Sequence, residues 1–445
     1  MTVRFLSLFS LFIMSTVLFL SGCHLETTPS KIVPKNGLRP ITLEFWTLQM
    51  GTFADVLNPM IEKYEQTHPG IHIHWVDLPF SEGPKKTLAA MLSPHVPDVV
   101  NLNPDFAAIL AQRQAIWNIN TLIREKDRRS YLPAVWQAVT LSGKTVSDGS
   151  FCLGVPWYVS TRVTLYNRRI LKESGIEQPA RTWEELFEQI RTIHRINNAA
   201  YGLMPTLAEN GSFLKELKKA DVPLWGNDGQ AIFATEKGIK FLSQWVSLYQ
   251  SKNIPAESLS EGQRAAVDQY QSGRLAYLLS GANFLKIIQE NAPSIYRETD
   301  VASQFPTNNQ NIDFSTMILT LPKHGAHPKE ALDFALYITN AKNQLALSKK
   351  APVLPSVKAA LSNPYFQAKS TAGSGLQSIE LIEKARIISA SQLLRATGGS
   401  APFPEQRDIN TQIDYTVQLA LLQKKNAKQA LAEAQASINE MRNPH

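Results

Sequence analysis

Apolar and polar positions fall into two rhythms along the chain, and their order predicts the architecture. Residues 41–46, Ile-Thr-Leu-Glu-Phe-Trp, alternate with period two among β-forming side chains, the pattern of a strand. Phe53, Val56, Leu57, Met60, Ile61 and Tyr64 then recur at helical spacing, and His68-Pro69-Gly70 stops that helix. A second strand follows at 71–76 and a short helix at 85–92. The third strand, 98–102, is bounded by Pro97 and Pro104, and another helix covers 106–115. Strand, helix, strand, helix, strand predicts a parallel sheet covered by helices.

A second unit opens after Gly154-Val-Pro-Trp-Tyr158. It starts with a strand at 163–166 and a short helix at 168–174 ended by Gly175. Thr182 then caps a further helix, with Glu185 at the capping-box position. Amphipathic helices at 236–252 and 263–273 precede a strand at 275–279. Residues 328–339 and 410–441 read as helical, the latter broken near 424–427, and 362–375 is the most loop-like part of the chain. There is no internal repeat and no low-complexity block.

The N-terminus changes this picture. Behind Arg4, residues 5–20 are almost unbroken apolar sequence, followed by Ser21 and Gly22: a positive region, an apolar core and a small-residue cleavage zone, as in a secretory signal. The apolar run is shorter than the roughly 20 residues that span a bilayer comfortably, and no second long run occurs downstream. Leu20-Ser21-Gly22-Cys23 resembles the lipobox of bacterial lipoproteins. That resemblance implies that Cys23 is acylated and anchors the chain, leaving 1–22 as signal peptide and 23–40, with Thr, Pro, Ser, Lys and Asn and few large apolar residues, as a flexible tether. An ordinary signal peptide with a chance cysteine, or an uncleaved helical anchor, are the alternatives. The chain holds only two cysteines, so with Cys23 acylated, Cys152 has no partner and neither a disulfide framework nor a Cys-rich metal site is expected.

The net charge of +7 is dispersed, with no block of five basic residues, so nucleic acid is not an expected partner. Ser142-Gly-Lys-Thr145 has the tail of a phosphate loop, but Ala138 stands where its first glycine belongs. Neither a Gly-x-Ser-x-Gly elbow nor a His-Glu-x-x-His helix occurs. His68, His72 and His74 lie close in sequence without a carboxylate at ligand spacing, which favours surface or packing roles. Cys152 has no basic neighbour in sequence to activate it. The expectation is therefore no catalytic residue, no metal and no cofactor, although a pair of carboxylates for glycoside hydrolysis leaves no trace in sequence spacing.

Taken in order, Phe45-Trp46-Thr47, Pro69-Gly70-Ile71, Pro97-Asp98-Val99-Val100, Gly154-Val-Pro-Trp-Tyr158, Leu165-Tyr-Asn-Arg168, Arg181-Thr-Trp-Glu-Glu185, Gln271-Ser-Gly-Arg-Leu-Ala276 and His327-Pro-Lys-Glu-Ala-Leu-Asp-Phe334 resemble the extracellular solute-binding protein family 1. These are the sugar-binding lipoproteins of ABC importers, related to maltose- and trehalose-binding proteins. The resemblance implies an α/β, two-lobed periplasmic-binding-protein fold (type II): mainly parallel sheets flanked by helices and joined by a hinge that the chain crosses more than once. It divides the chain into an N-lobe of 41–159 plus 305–350 and a C-lobe of 160–304 plus 351–440.

It further implies a monomer, not an enzyme, that captures a neutral sugar, oligosaccharide or glycoside, a trehalose-, sucrose- or glucosyl-polyol-type compound included. The ligand would be delivered to two membrane permease subunits with a cytoplasmic ATPase. The protein itself would sit on the extracytoplasmic face of the cell membrane. A membrane-anchored glycosidase or a ligand-sensing lipoprotein are the rival readings. Carried over residue by residue, the resemblance places Trp46, Thr47, Gln49, Asp105, Trp157, Tyr158, Ser160, Asn283 and Phe284 at the cleft. Asn283 stands where relatives often have a stacking tryptophan, for which Trp225 is a substitute, and Arg395 begins a loop that enters the cleft.

Overall fold

A computed structural model describes residues 40–91, 93, 95–141, 150–306, 312–367, 380–396 and 405–442. Cys23, the Ser142–Thr145 segment and Gly398-Gly399 lie outside them.

Eleven strands are assigned among these residues: β1 (Ile41–Leu48), β2 (Ile71–Leu78), β3 (Val99–Leu102), β4 (Thr140–Leu141), β5 (Phe151–Cys152), β6 (Val155–Asn167), β7 (Tyr201–Leu203), β8 (Leu275–Gly281), β9 (Thr299–Ala302), β10 (Phe314–Thr320) and β11 (Leu354–Pro355). The main sheet runs in the order β2-β1-β3-β10-β6-β8-β7, and β9 and β11 also pair with β6. β2, β1 and β3 are parallel, as the alternation of strand and helix predicts, and so are β7 and β8. β10, β8, β9 and β11 run antiparallel to β6, so the sheet is mixed.

β6 organises the molecule. The sequence pattern suggests two separate segments here, but 155–167 is one strand. β10 and β11 flank its first half, and β8 and β9 flank its second. Each half belongs to a different core. In the first lobe, Phe45 packs against Trp157 and Phe334 at ring separations of 5.9 and 5.2 Å. In the second, Trp183 meets Phe305 at 4.7 Å and Phe241 at 4.9 Å, each edge to face. Such aromatic pairs contribute about 0.5–1.5 kcal/mol beyond their area burial.

The chain passes between lobes along β6, again between β9 and β10, and again between residues 366 and 381. Residues 351–360, which the resemblance assigns to the C-lobe, instead pack into the first core through Ala351, Val357 and Ala360. The reason is β11, which pairs with Tyr158 and Val159 in the first half of β6 and keeps this segment on that side. The last two helices, Gln406–Leu421 and Ala427–Arg442, cover the second core through Ile409, Ile413, Leu431 and Ile438.

One side chain ties the crossings together. Buried Gln392, from the helix Leu381–Leu394, donates to Thr161 Oγ1 (3.1 Å) and to the Arg162 carbonyl (2.5 Å), and its Oε1 accepts from the Gln304 amide (2.9 Å). Thr182 caps its helix as the sequence predicts, with its Oγ1 accepting from the Glu185 amide, while the Glu185 carboxylate takes the Arg181 N–H.

Candidate functional site

Strand alternation decides which residues of the crossing segment are open. Trp157, Val159 and Thr161 are buried on one face of β6, whereas Tyr158, Ser160 and Arg162 lie on the other and keep solvent access. Across the antiparallel ladder, Met317 stands opposite Tyr158 and Ser315 opposite Ser160, so they share that face. Ser160 and Ser315 are both exposed although each sits on an inner strand of the sheet. The middle of the sheet is therefore uncovered on one side, a polar floor where the two lobes meet.

The first lobe contributes the carboxyl ends of its parallel strands, the usual crevice of an open α/β sheet. Asp105 lies in the first turn of the helix Pro104–Gln112, directly after β3, and Asn103 Oδ1 caps that helix by accepting from the Phe106 amide at 2.8 Å. The Asp105 side chain is open to solvent, and desolvation by the surrounding protein pushes its carboxyl up. Lys215 pulls in the opposite direction. Lys215 belongs to the helix Ser212–Lys219, whose Phe213, Leu214 and Leu217 pack in the second lobe.

Gln49 follows the last residue of β1, exposed and in the left-handed region at φ 53°. The turn after it is pinned by Asp77, whose two oxygens accept the Met50 and Gly51 amides at 2.8 Å.

Charge gathers at the second half of β6. Arg162 Nε is 3.5 Å from Asp313 Oδ2, and Lys215 Nζ is 3.8 Å from Asp313 Oδ1. Burial by itself would raise the Asp313 carboxyl, but Lys215, Lys219, Arg162 and Lys218 together hold it down to about 2. Tyr158 is pushed the other way, its phenol raised first by burial and then by the Asp77 carboxylate.

The remaining expected residues divide. Asn283 is exposed in the turn after β8, beside Gly281, which pairs with Arg162. Trp157 is 1% exposed against Phe45 and belongs to the core; its neighbours Tyr158 and Ser160 have the open face. Thr47 is fully buried and already engaged, donating to Asp77 Oδ1 at 2.6 Å and accepting from Trp75 Nε1 at 2.7 Å. Trp46 is half-buried, with its indole N–H on Glu44 Oε1 at 2.6 Å. Phe284 packs on a satellite core of the second lobe. Trp225 lies under the Arg442 guanidinium, 5.0 Å from its ring, beside the C-terminal helix. Arg395 is exposed one turn beyond Gln392.

The structure puts Tyr158 and Ser160 on one face of β6 with Arg162, sets Asn283 beside Gly281, the partner of Arg162, and brings Lys215 and Asp313 to the same arginine; Arg162, Lys215 and Asp313 are residues the sequence did not nominate. Arg162, two positions beyond Ser160 on the same strand, was the one with a readable signal.

His68 pairs with Asp333 at 3.2 Å and His72 with Glu65 at 2.8 Å, and no cluster of three metal-ligating side chains occurs among the described residues. Cys152 is fully buried, and burial pushes its thiol up to about 12.

Comparison with known proteins agrees with this architecture. The family model described as bacterial extracellular solute-binding protein matches residues 51–345. A Synechococcus sp. MITs9220 protein, named as a candidate oligosaccharide periplasmic-binding protein, is 30% identical with a TM-score of 0.76, covering 90% of this chain and 98% of that one. Maltose-bound MalE3 of T. maritima is 19% identical with a TM-score of 0.68, over 90% and 100% of the two chains. A Deinococcus radiodurans protein named for ABC transporter binding is 21% identical over 55% of this chain, and the match spans 59% of that protein's own length. With the family model covering most of the chain and the two-lobed fold on the page, this protein belongs to the bacterial extracellular solute-binding protein family.

Proposed function

We propose that this chain is the binding component of an ABC importer, held at the extracytoplasmic face of the cell membrane by acylated Cys23. It captures a sugar, oligosaccharide or glycoside between its lobes and delivers it to the permease as a monomer. The observation that carries this reading is the uncovered centre of the sheet: a strand common to both lobes exposes Ser160 at mid-length, opposite exposed Ser315. Side-chain hydroxyls, an aromatic edge at Tyr158 and the Asp105 carboxylate are the donor, acceptor and apolar surfaces a sugar needs. Asp105 and Lys215 on opposite lobes suit closure around the ligand by hinge bending, and the closed form is what a permease would recognise.

Calorimetry against maltose, trehalose, sucrose, small glycosides and polyols tests this. The expected result is reversible binding near micromolar, about −8 kcal/mol, without turnover. Ser160→Trp fills the floor and is expected to abolish that binding while the protein stays folded. A Ser160→Trp variant that binds as tightly as the parent removes the floor from the site.

A further inference from the structure

Beside the floor, the second lobe holds a cavity of about 30 Å³ that sugar hydroxyls alone do not explain. Arg162, Trp183, Glu216, Trp245 and Gln263 are among the residues that line it. Four of these carry a buried polar atom with no hydrogen-bond partner among the described residues: the indole nitrogens of Trp183 and Trp245, the amide nitrogen of Gln263 and Oε2 of Glu216. Trp183 and Trp245 are 7% and 1% exposed, so water outside the protein does not serve their N–H groups. Buried polar atoms left unpaired are costly, so four of them around one cavity call for a guest, water or ligand.

The lining has a chemical bias. Three of the four unpaired atoms are donors, and the one acceptor belongs to a carboxylate whose other oxygen takes Lys219 Nζ at 3.0 Å. Arg162 adds a guanidinium whose contacts are long: 3.5 Å to Asp313 and 3.5 Å to the Leu279 carbonyl. Lys215 reaches Asp313 only at 3.8 Å. Charge-assisted pairs close to about 2.7–2.9 Å when they are satisfied. Arg162 in the lining, and Lys215 beyond it on the same Asp313, give the pocket a cationic side whose long pairs leave room for a second acceptor that carries negative charge. Its size narrows the choice, since 30 Å³ has room for about two water-sized groups, the two oxygens of a carboxylate.

We infer that the ligand is an acidic sugar, a uronic or aldonic acid, whose carboxylate is received by Arg162 and the donors that line this cavity, with Lys215 as the outer countercharge. This rests on the sugar-binding reading above and replaces the neutral ligand expected from the sequence. Asp105, on the opposite lobe, is left to the hydroxyls at the other end of the ligand.

The test is calorimetry on the full-length chain in detergent with matched pairs: maltose and maltobionate, cellobiose and cellobionate, D-glucose and D-glucuronate. At least one acid is expected to bind about ten- to a hundred-fold tighter than its neutral partner, as one or two charge-assisted hydrogen bonds allow. The advantage is expected to shrink as salt rises. Arg162→Gln and, at an exposed position, Lys215→Gln should bring the acid-to-neutral affinity ratio toward one, each variant being compared with its own neutral partner so that a general loss of binding or stability cancels. Neutral partners that bind as well as the acids overturn the inference, keep the sugar-binding reading and leave the cavity to water. Binding of neither kind overturns both.

Discussion

Asp313→Asn removes one charge without changing volume at the point where the second lobe's cations meet. In the folded protein the Asp313 carboxyl lies at about 2 against an ordinary value of 3.8, held there by Lys215, Lys219, Arg162 and Lys218 against the cost of burial. Nearly two pKa units at about 1.4 kcal/mol each give about 2 kcal/mol of stability at neutral pH. The carboxyl is depressed in the folded state, so this contribution is complete above the unfolded value near 3.8. It is lost as pH falls through the folded value near 2.

Urea unfolding of both proteins from pH 7 downward measures it. The parent is expected to exceed the variant by about 2 kcal/mol at pH 7 and pH 5, with the gap closing toward pH 2. A gap that stays constant across that range, or an Asn variant as stable as the parent at pH 7, would refute the electrostatic account. The variant also frees Arg162 and Lys215, so its affinity for an acidic sugar is expected to rise.

Three further outcomes separate binding from scaffolding. Asp105→Ala is expected to weaken sugar binding by roughly 1.5–3 kcal/mol, the loss of one charge-assisted hydrogen bond, with an unchanged melting temperature; equal affinity in calorimetry removes Asp105 from the site. Thr47→Val should do the reverse, destabilising the fold by about 1–3 kcal/mol because it strands the Trp75 N–H and one contact of Asp77, while ligand affinity holds. Cys23→Ala should leave binding intact and shift the protein from the membrane to the soluble fraction, and a variant that still sediments with membranes rules out acylation at Cys23.

The first lobe was largely legible because its signals are local. Its helices and parallel strands carry clean periodicities, and their stops, such as His68-Pro69-Gly70, sit in the sequence beside them. β6 was not legible as one strand. Pro156 near its start and polar residues at 160–162 break the apolar run, and pairing partners up to 200 positions away in β8, β9, β10 and β11 compensate for what the segment lacks. The same distance hid the lobe boundary, since two residues of β11 on the first half of β6 are enough to carry 351–360 with them.

The site was legible only where one strand face could be read. Trp157, Tyr158 and Ser160 are near neighbours in sequence, but which of them opens to the cleft depends on the phase of β6 against Phe45, and a shift of one position exchanges the two faces. The resemblance names all three, whereas packing buries the tryptophan and leaves a serine and a tyrosine outside. Arg162 follows from the same phase once Ser160 is known to be exposed. Asp313 has no comparable signal: it lies 151 positions from Arg162 in sequence, its neighbours are unremarkable, and its carboxyl acquires its character from cations on β6 and on the helix Ser212–Lys219. The three segments that give Asp313 its character, β6, the stretch just before β10 and the helix Ser212–Lys219, meet only in the fold, so no local pattern announces them.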